Sequence, residues 1–320
     1  MSKTKTIAIL ATHSFGYIDF LVEKLQASNA VDLTYINIDA IPFSYKNSFS
    51  RLANSFLKLF LFAGLKEQNK TKVIQELLGE TVWDQILVIR PDKIQSKTLL
   101  FLREHALKMS CFLFDGIENY KEQKKTIPYF DTIYSYDKKD VAKYNFTFLT
   151  NYIFDDTIDC NEIRNKVFNI SSYDSRFPFL EKLACYFSEN KILFQFIVKT
   201  DKFCEHKNIE VTNTYLTIKE VKNIISASLV LVDLQFKNQC GLSFRVFEAL
   251  GYSKKLITNN QDIVNYDFYN ANNIFVISEE NYEIPKAFFE TPYIPIKPEI
   301  LEKYTLKNWI LKVFEIDVAQ

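Results

Sequence analysis

Between Leu229 and Thr258 the chain spells out strand, loop, helix and strand in that order. Leu229-Val-Leu-Val-Asp233 is a short apolar run ending on an acid, and it reads as a strand buried on both faces. A loop with one glycine, Gly241, comes next, and apolar residues then recur at helical spacing from Leu242 to Leu250. Lys255-Leu-Ile-Thr258 supplies the second strand. On a helical wheel Leu242, Val246, Ala249 and Leu250 share one face. Gly241, Arg245 and Glu248 lie within about 60° of one another on another face. The first face is expected to pack on a sheet. The second can present a cation and a carboxylate at the sheet's carboxyl edge, where the free N–H groups and positive end of a helix attract anions.

The same alternation runs through the whole chain. Thr6–Leu10, Asp32–Ile38, Asp84–Arg90, Ser110–Asp115, Tyr129–Tyr136, Val167–Ile170, Ile192–Val198 and Asn273–Ile277 read as further strands. Helical spacing is expected over Tyr17–Leu25, Lys72–Leu78, Ser96–Leu107, Phe179–Phe187, Thr217–Ser226 and Glu299–Phe314. Strands alternating with helices predict an α/β fold with parallel, doubly wound sheets. A length of 320 residues suits two such domains of about 150 residues. From Asn151 to Asn165 the apolar pattern lapses and Asp155, Asp156, Asp159 and Glu162 cluster, which marks the boundary. The expected units are residues 1–155, residues 156–298, and a terminal helical segment 299–320.

Bulk properties exclude several classes. The formal net charge is zero and there is no basic run, so nucleic acid is not an expected partner. The cysteines at 111, 160, 185, 204 and 240 are scattered, with no CxxC and no Cys/His cluster, so neither a disulfide framework nor a structural metal is expected. That usage fits a reducing cytoplasm. No signal-peptide pattern and no uninterrupted apolar run of about 18 residues is present. Residues 43–66 are unusual: Leu52, Phe56, Leu59, Phe60 and Ala63 form an apolar stripe beside Arg51, Asn54, Ser55 and Lys58. Such a helix suits either core packing or the surface of an anionic membrane.

In a parallel sheet the loops after the strands carry the chemistry. In the first half those loops hold His13, Asp92 and Asp115, the candidates for a general base or nucleophile. Asp115 is equally suited to capping a turn with Gly116. In the second half they hold Ser172, Arg176, Lys199, Gly241, Ser243, Arg245 and Glu248. Arg176 and Arg245 can serve as planar forks for phosphate, or simply pair with Asp174 and Glu248.

Glu248-Ala-Leu-Gly-Tyr-Ser-Lys-Lys-Leu-Ile-Thr258 resembles the Glu-Ala…Lys-x-(Val/Leu)-Ile-Thr segment of GT-B glycosyltransferases. Tyr129–Asp140, Ser172–Phe177 and Asn260–Tyr269 resemble further pieces of bacterial lipopolysaccharide and capsule glycosyltransferases of the CgeB-like kind. The resemblance spans about residues 84–280 and implies two Rossmann-like domains facing a cleft, with the terminal helix returning to the first domain. It also implies a nucleotide-sugar donor on the second domain, with Glu248 at the ribose, and a glycan or glycolipid acceptor on the first. No cofactor or metal is implied. The enzyme would be cytoplasmic, peripheral on the inner face of the inner membrane through residues 43–66. Where many retaining members carry a second glutamate this chain has Cys240, so donor identity and stereochemistry do not carry over. Two other readings share the architecture: an epimerase of the UDP-GlcNAc 2-epimerase type, and a nucleotide-sugar-binding partner subunit without turnover.

Overall fold

The computed structural model describes residues 4–45, 64–159, 162–202 and 206–318. Residues 46–63, most of the apolar-striped segment, lie outside them, as do Cys160 and Cys204. The chain divides into two compact units, one of residues 1–149 plus 314–320 and one of residues 150–313. The division falls close to the acid-rich stretch expected to mark it, and the segment after Val313 belongs with the first unit.

The first unit is built on six parallel strands, β1 (Lys5–Ala11), β2 (Val31–Asn37), β3 (Trp83–Ile89), β4 (Ala106–Leu113), β5 (Thr132–Ser135) and β6 (Thr147–Phe148). Their order is β2-β1-β3-β4-β5-β6. Helices α1 (Tyr17–Gln26), α2 (Leu65–Leu78), α3 (Ser96–Glu104) and α4 (Lys138–Tyr144) connect them. Ala8, Leu10, Val88, Leu99, Leu102 and Cys111 lie together in one core. Asp137 caps α4, its carboxylate accepting from the N–H groups of Lys139 and Asp140. The helix expected to run to Leu107 stops at Glu104, and β4 begins at Ala106. The sheet decides this: Ala106 pairs with Trp83 in register, and the Trp83 N–H donates to the carbonyl of His105 at 2.8 Å.

The second unit carries β7 (Asn165–Ser172), β8 (Phe194–Lys199), β9 (Glu210–Thr212), β10 (Ser228–Asp233), β11 (Lys255–Thr258) and β12 (Ile274–Val276). The order β12-β11-β10-β7-β8-β9 is that of a Rossmann sheet, and all pairs are parallel. Neighbouring residues in a strand point to opposite faces, and here each face is buried. Val167, Val232 and Ile257 join one core, while Phe168, Leu231 and Leu256 join the other. Helices α5 (Phe177–Glu189), α6 (Ile218–Ser226) and α7 (Phe244–Gly251) follow β7, β9 and β10. Thr217 and Glu220 close a reciprocal capping box at the start of α6.

The apolar face read for α7 is the one it buries: Leu242, Val246, Ala249 and Leu250 enter the second core with Phe247. Each large side chain of that face contributes about 1.5–3 kcal/mol on burial.

Three short helices end the unit, α8 (Lys286–Glu290), α9 (Pro298–Leu301) and α10 (Leu306–Phe314). The single terminal helix expected over 299–314 is therefore interrupted. Thr305 adopts extended backbone (φ −72°, ψ 152°). That lets Ile153 form a parallel bridge there, its N–H donating to the Tyr304 carbonyl at 2.7 Å and its own carbonyl accepting from Leu306 at 3.0 Å. Helix α10 belongs almost wholly to the second unit, and the residues after it return to the first. There Phe314 O accepts from Lys5 Nζ at 2.7 Å, and Glu315 pairs with Lys108 at 2.9 Å.

Gly251 ends α7 against the segment leading into the second unit. A Cβ there would lie 2.5 Å from the Asp155 carbonyl oxygen and 2.8 Å from the Ile153 side chain. Gly251→Ala is expected to destabilise the protein by about 1–3 kcal/mol through overpacking. Urea denaturation followed by fluorescence checks this, and an unchanged midpoint would contradict it.

Candidate functional site

In each sheet the strand order reverses direction at one place, and loops leaving adjacent strands there diverge to leave room for a ligand. In the first unit that place lies between β1 and β3. His13 sits after β1, exposed, with its backbone N–H bonded to Asp39 at 3.1 Å. The loop continues through Ser14, Phe15 and Gly16 at φ 45°, 56° and 87°, a left-handed run that a glycine adopts freely and the other two do not.

After β3 the turn is built around Arg90, also left-handed at φ 63°. Its guanidinium holds Asp92 with two hydrogen bonds at 3.0 and 2.9 Å, reaches Asp115 at 3.4 Å, and lies over the Tyr120 ring at 4.4 Å. Two of the expected bases thus converge on one arginine. Burial by itself would lift the Asp92 carboxyl, but the hydrogen bonds and charge of Arg90 outweigh it and hold the group below the usual carboxylate range. A carboxylate so stabilised is a weak proton acceptor.

In the second unit the reversal lies between β7 and β10. Ser172 ends β7, paired in register with Lys199 at the end of β8. Lys199 is bound to Asp201 at 2.7 Å and faces the Tyr215 ring at 4.7 Å. Arg176 spans the reversal. It grips Asp174 through Nε at 2.9 Å and NH2 at 2.5 Å, donates through NH1 to the Leu234 carbonyl at 2.8 Å, and stacks over Phe236 at 4.4 Å. It is a brace between the loops after β7 and β10. The ion pair to Asp174 is the plainer of the two roles its sequence position allows.

Helix α7 starts at the same edge. Ser243 caps it, its Oγ accepting from the Arg245 N–H at 3.2 Å. Arg245 and Glu248 form a close ion pair one turn in, and both are largely buried, with side-chain exposures of 11% and 3%. Glu248, the carboxylate expected to meet a ribose, is turned toward Arg245 in this structure. Gly241 is buried in the loop just before the helix.

Beneath this edge lies a residue that strand-by-strand reading passed over. Asp233, the last residue of β10, is 6% exposed. Its carboxylate accepts from Ser243 Oγ at 2.7 Å, Gln235 Nε2 at 3.0 Å and Thr258 Oγ1 at 3.3 Å. Burial raises its carboxyl above the ordinary aspartate range, although these hydrogen bonds and the charges of Arg176 and Arg245 pull it down. Gln235 passes the network to Asn260, which also reaches the carbonyls of Cys240 and Gly241. Asn259 closes the same loop by exchanging hydrogen bonds with the Gln235 backbone at 2.7 and 3.0 Å. The signal for this network was present in outline, since Asp233, Asn259 and Asn260 each sit where a parallel strand stops.

No protein-family model matches the chain, and no curated protein sequence matches it. Solved structures do. S. aureus MnaA in its UDP co-structure superposes with a TM-score of 0.54 at 12% identity, over 98% of each chain. UDP-GlcNAc 2-epimerase from Neisseria meningitidis bound to UDP-GlcNAc gives 0.55 at 11% identity, over 98% of this chain and 100% of that one. The lipopolysaccharide outer core galactosyltransferase WaaB gives 0.53 at 12% identity, over 97% and 99%. At such identities the likeness is one of fold: two Rossmann-like α/β domains, the architecture of GT-B proteins, across nearly the whole chain.

The Arg90–Asp92 pair makes a pH prediction. Because the Asp92 carboxyl is depressed in the folded state, its contribution is complete above the unfolded value of about 3.9 and is lost as pH falls through the lower folded value. Asp92→Asn is expected to cost roughly 1.5–3 kcal/mol near neutrality. The deficit should shrink below about pH 4. Urea midpoints of both proteins across an acid series measure it, and a pH-independent deficit would refute the assignment.

Proposed function

We propose that this protein is a glycosyltransferase that takes a nucleotide-sugar donor at the carboxyl edge of the second domain. The observation that carries the reading is the junction of β7, β10 and α7. There a serine-capped helix N-terminus, a buried glycine, and the Arg176 and Arg245 cations gather around the end of one strand. Helix N–H groups and fixed cations neutralise a leaving diphosphate without a metal ion. The segment from Glu248 to Thr258, with its likeness to the donor half of GT-B glycosyltransferases, supports the same placement. The likeness in fold to MnaA, solved with UDP, and to the galactosyltransferase WaaB agrees with it.

The acceptor in this reading is a lipopolysaccharide or capsular glycan, and the acceptor-side base comes from the first domain. His13 is the better candidate there, since Asp92 and Asp115 are engaged by Arg90. Association with the inner face of a membrane would run through residues 43–66, and among the described residues no helix is long and apolar enough to cross one.

Epimerisation of the nucleotide sugar is the second reading, favoured by the full-length likeness to the UDP-GlcNAc-bound Neisseria epimerase.

Thermal-shift titration with UDP-, GDP-, dTDP- and CMP-sugars tests the site. At least one is expected to raise the melting temperature, and Arg245→Gln is expected to weaken its affinity by about ten-fold or more. No shift from any nucleotide would refute the placement. Release of free nucleotide only when a glycan acceptor is added supports transfer, whereas a new sugar nucleotide formed from donor alone supports epimerisation.

A further inference from the structure

We propose that Asp233 is a positioning residue. Through Gln235 and Asn260 its carboxylate sets the direction of the peptide groups leading into α7, and so aims their N–H groups at an anionic ligand. The inference rests on the reading of this edge as a nucleotide-sugar site.

An ionised carboxylate can only accept hydrogen bonds. Gln235 must therefore present its amide NH2 to Asp233, as it does at 3.0 Å, which leaves its oxygen facing the other way. That oxygen accepts from Asn260 Nδ2 at 2.7 Å, so the orientation of the second amide follows from the first. The NH2 of Asn260 then also faces the carbonyls of Cys240 and Gly241, at 3.2 and 3.4 Å. Its oxygen is committed elsewhere, accepting from the Asp262 N–H at 2.9 Å.

A fixed carbonyl fixes the next N–H. The described peptide bonds are all trans, and in a trans peptide the C=O and the following N–H point in opposite directions. With the carbonyls of Cys240 and Gly241 drawn toward Asn260, the N–H groups of Gly241 and Leu242 point away from it. Asn151 Nδ2 extends the pattern by binding the Leu242 carbonyl at 2.9 Å, which directs the Ser243 N–H in turn. Turned away from Asn260 and leading into the N-terminus of α7, these N–H groups are donors an anionic ligand can use. Asp233 anchors the far end of the same loop, since Ser243 Oγ donates to it at 2.7 Å.

Charge makes the arrangement sensitive to protonation. A protonated Asp233 becomes a donor on one oxygen and releases the constraint on Gln235. The charged groups around it are Arg176, paired with Asp174, and Arg245, paired with Glu248.

The test uses the whole chain, with UDP as probe and GDP and dTDP as alternates, by isothermal titration calorimetry. Asp233→Asn keeps the size of the side chain and adds a donor where only an acceptor stood. Asn260→Asp keeps the cap on Asp262 and removes the donors to Gln235, Cys240 and Gly241, and it carries the test alone if the first variant does not fold. Both are expected to raise Kd by about ten-fold or more. The ligand-free melting temperature of D233N should not fall in proportion, because a buried charge has been removed. Affinity of the native chain should also fall on acidification by more than that of D233N, in which the phosphate titrates but position 233 does not. Affinities within about two-fold of native, or identical pH profiles, overturn the inference. No binding of any of the three nucleotides to the native chain overturns the reading of the site itself, and the inference with it.

Discussion

Both sheets are parallel and the second is covered on both faces, so the middle of its central strands is shut off from water. Charge gathers at the strand ends, and polar side chains buried within strands, among them Gln85, Ser110 and Asn169, are hydrogen-bonded. That constraint produces the rest of the molecule. Apolar residues fill the strand interiors, while Arg90, Ser172, Lys199, Asp233 and Thr258 stand at or just past carboxyl termini. Among the described residues the ion pairs and amide networks that matter here are edge structures.

The two edges use charge differently. In the first domain one arginine collects two acids and an aromatic ring into a self-contained cluster. The attraction keeps Arg90 in a left-handed backbone that costs about 1–2 kcal/mol on its own. In the second domain two arginines flank one buried acid, and each arginine has its own carboxylate partner as well. Burying an ion pair is seldom a net gain over an apolar contact, so such pairs are better explained by the geometry they enforce.

Much of the fold was legible in the sequence, because strand and helix periods are local. Lys255–Thr258 is a strand over the very residues read as one, and the helix expected from Thr217 to Ser226 is there, running from Ile218 to Ser226 with Thr217 as its cap. The misreadings were set by distant parts of the chain. Ala106 looks helical until Trp83 pairs with it, and Thr305 looks helical until Ile153 arrives from over a hundred residues upstream. The site was half legible for the same reason. Gly241, Arg245 and Glu248 announce themselves by helical spacing. Asp233 does not, since its meaning lies in Gln235, Thr258 and Asn260, contributed by β10, β11 and the loops after them. A strand-terminal acid looks alike whether it faces solvent or anchors a loop.

The bridge between Ile153 and Thr305 fastens the entry and exit of the second domain side by side. In chain order this domain is an insertion within the first, whose last pieces are the Phe314 carbonyl on Lys5 and the Glu315 carboxylate on Lys108. During synthesis the first domain therefore exposes the place of that tail while the whole second domain is being made. The second domain, contiguous and closed at its neck, can finish folding first. Order of completion then runs opposite to order of appearance: the half that emerges first is sealed last.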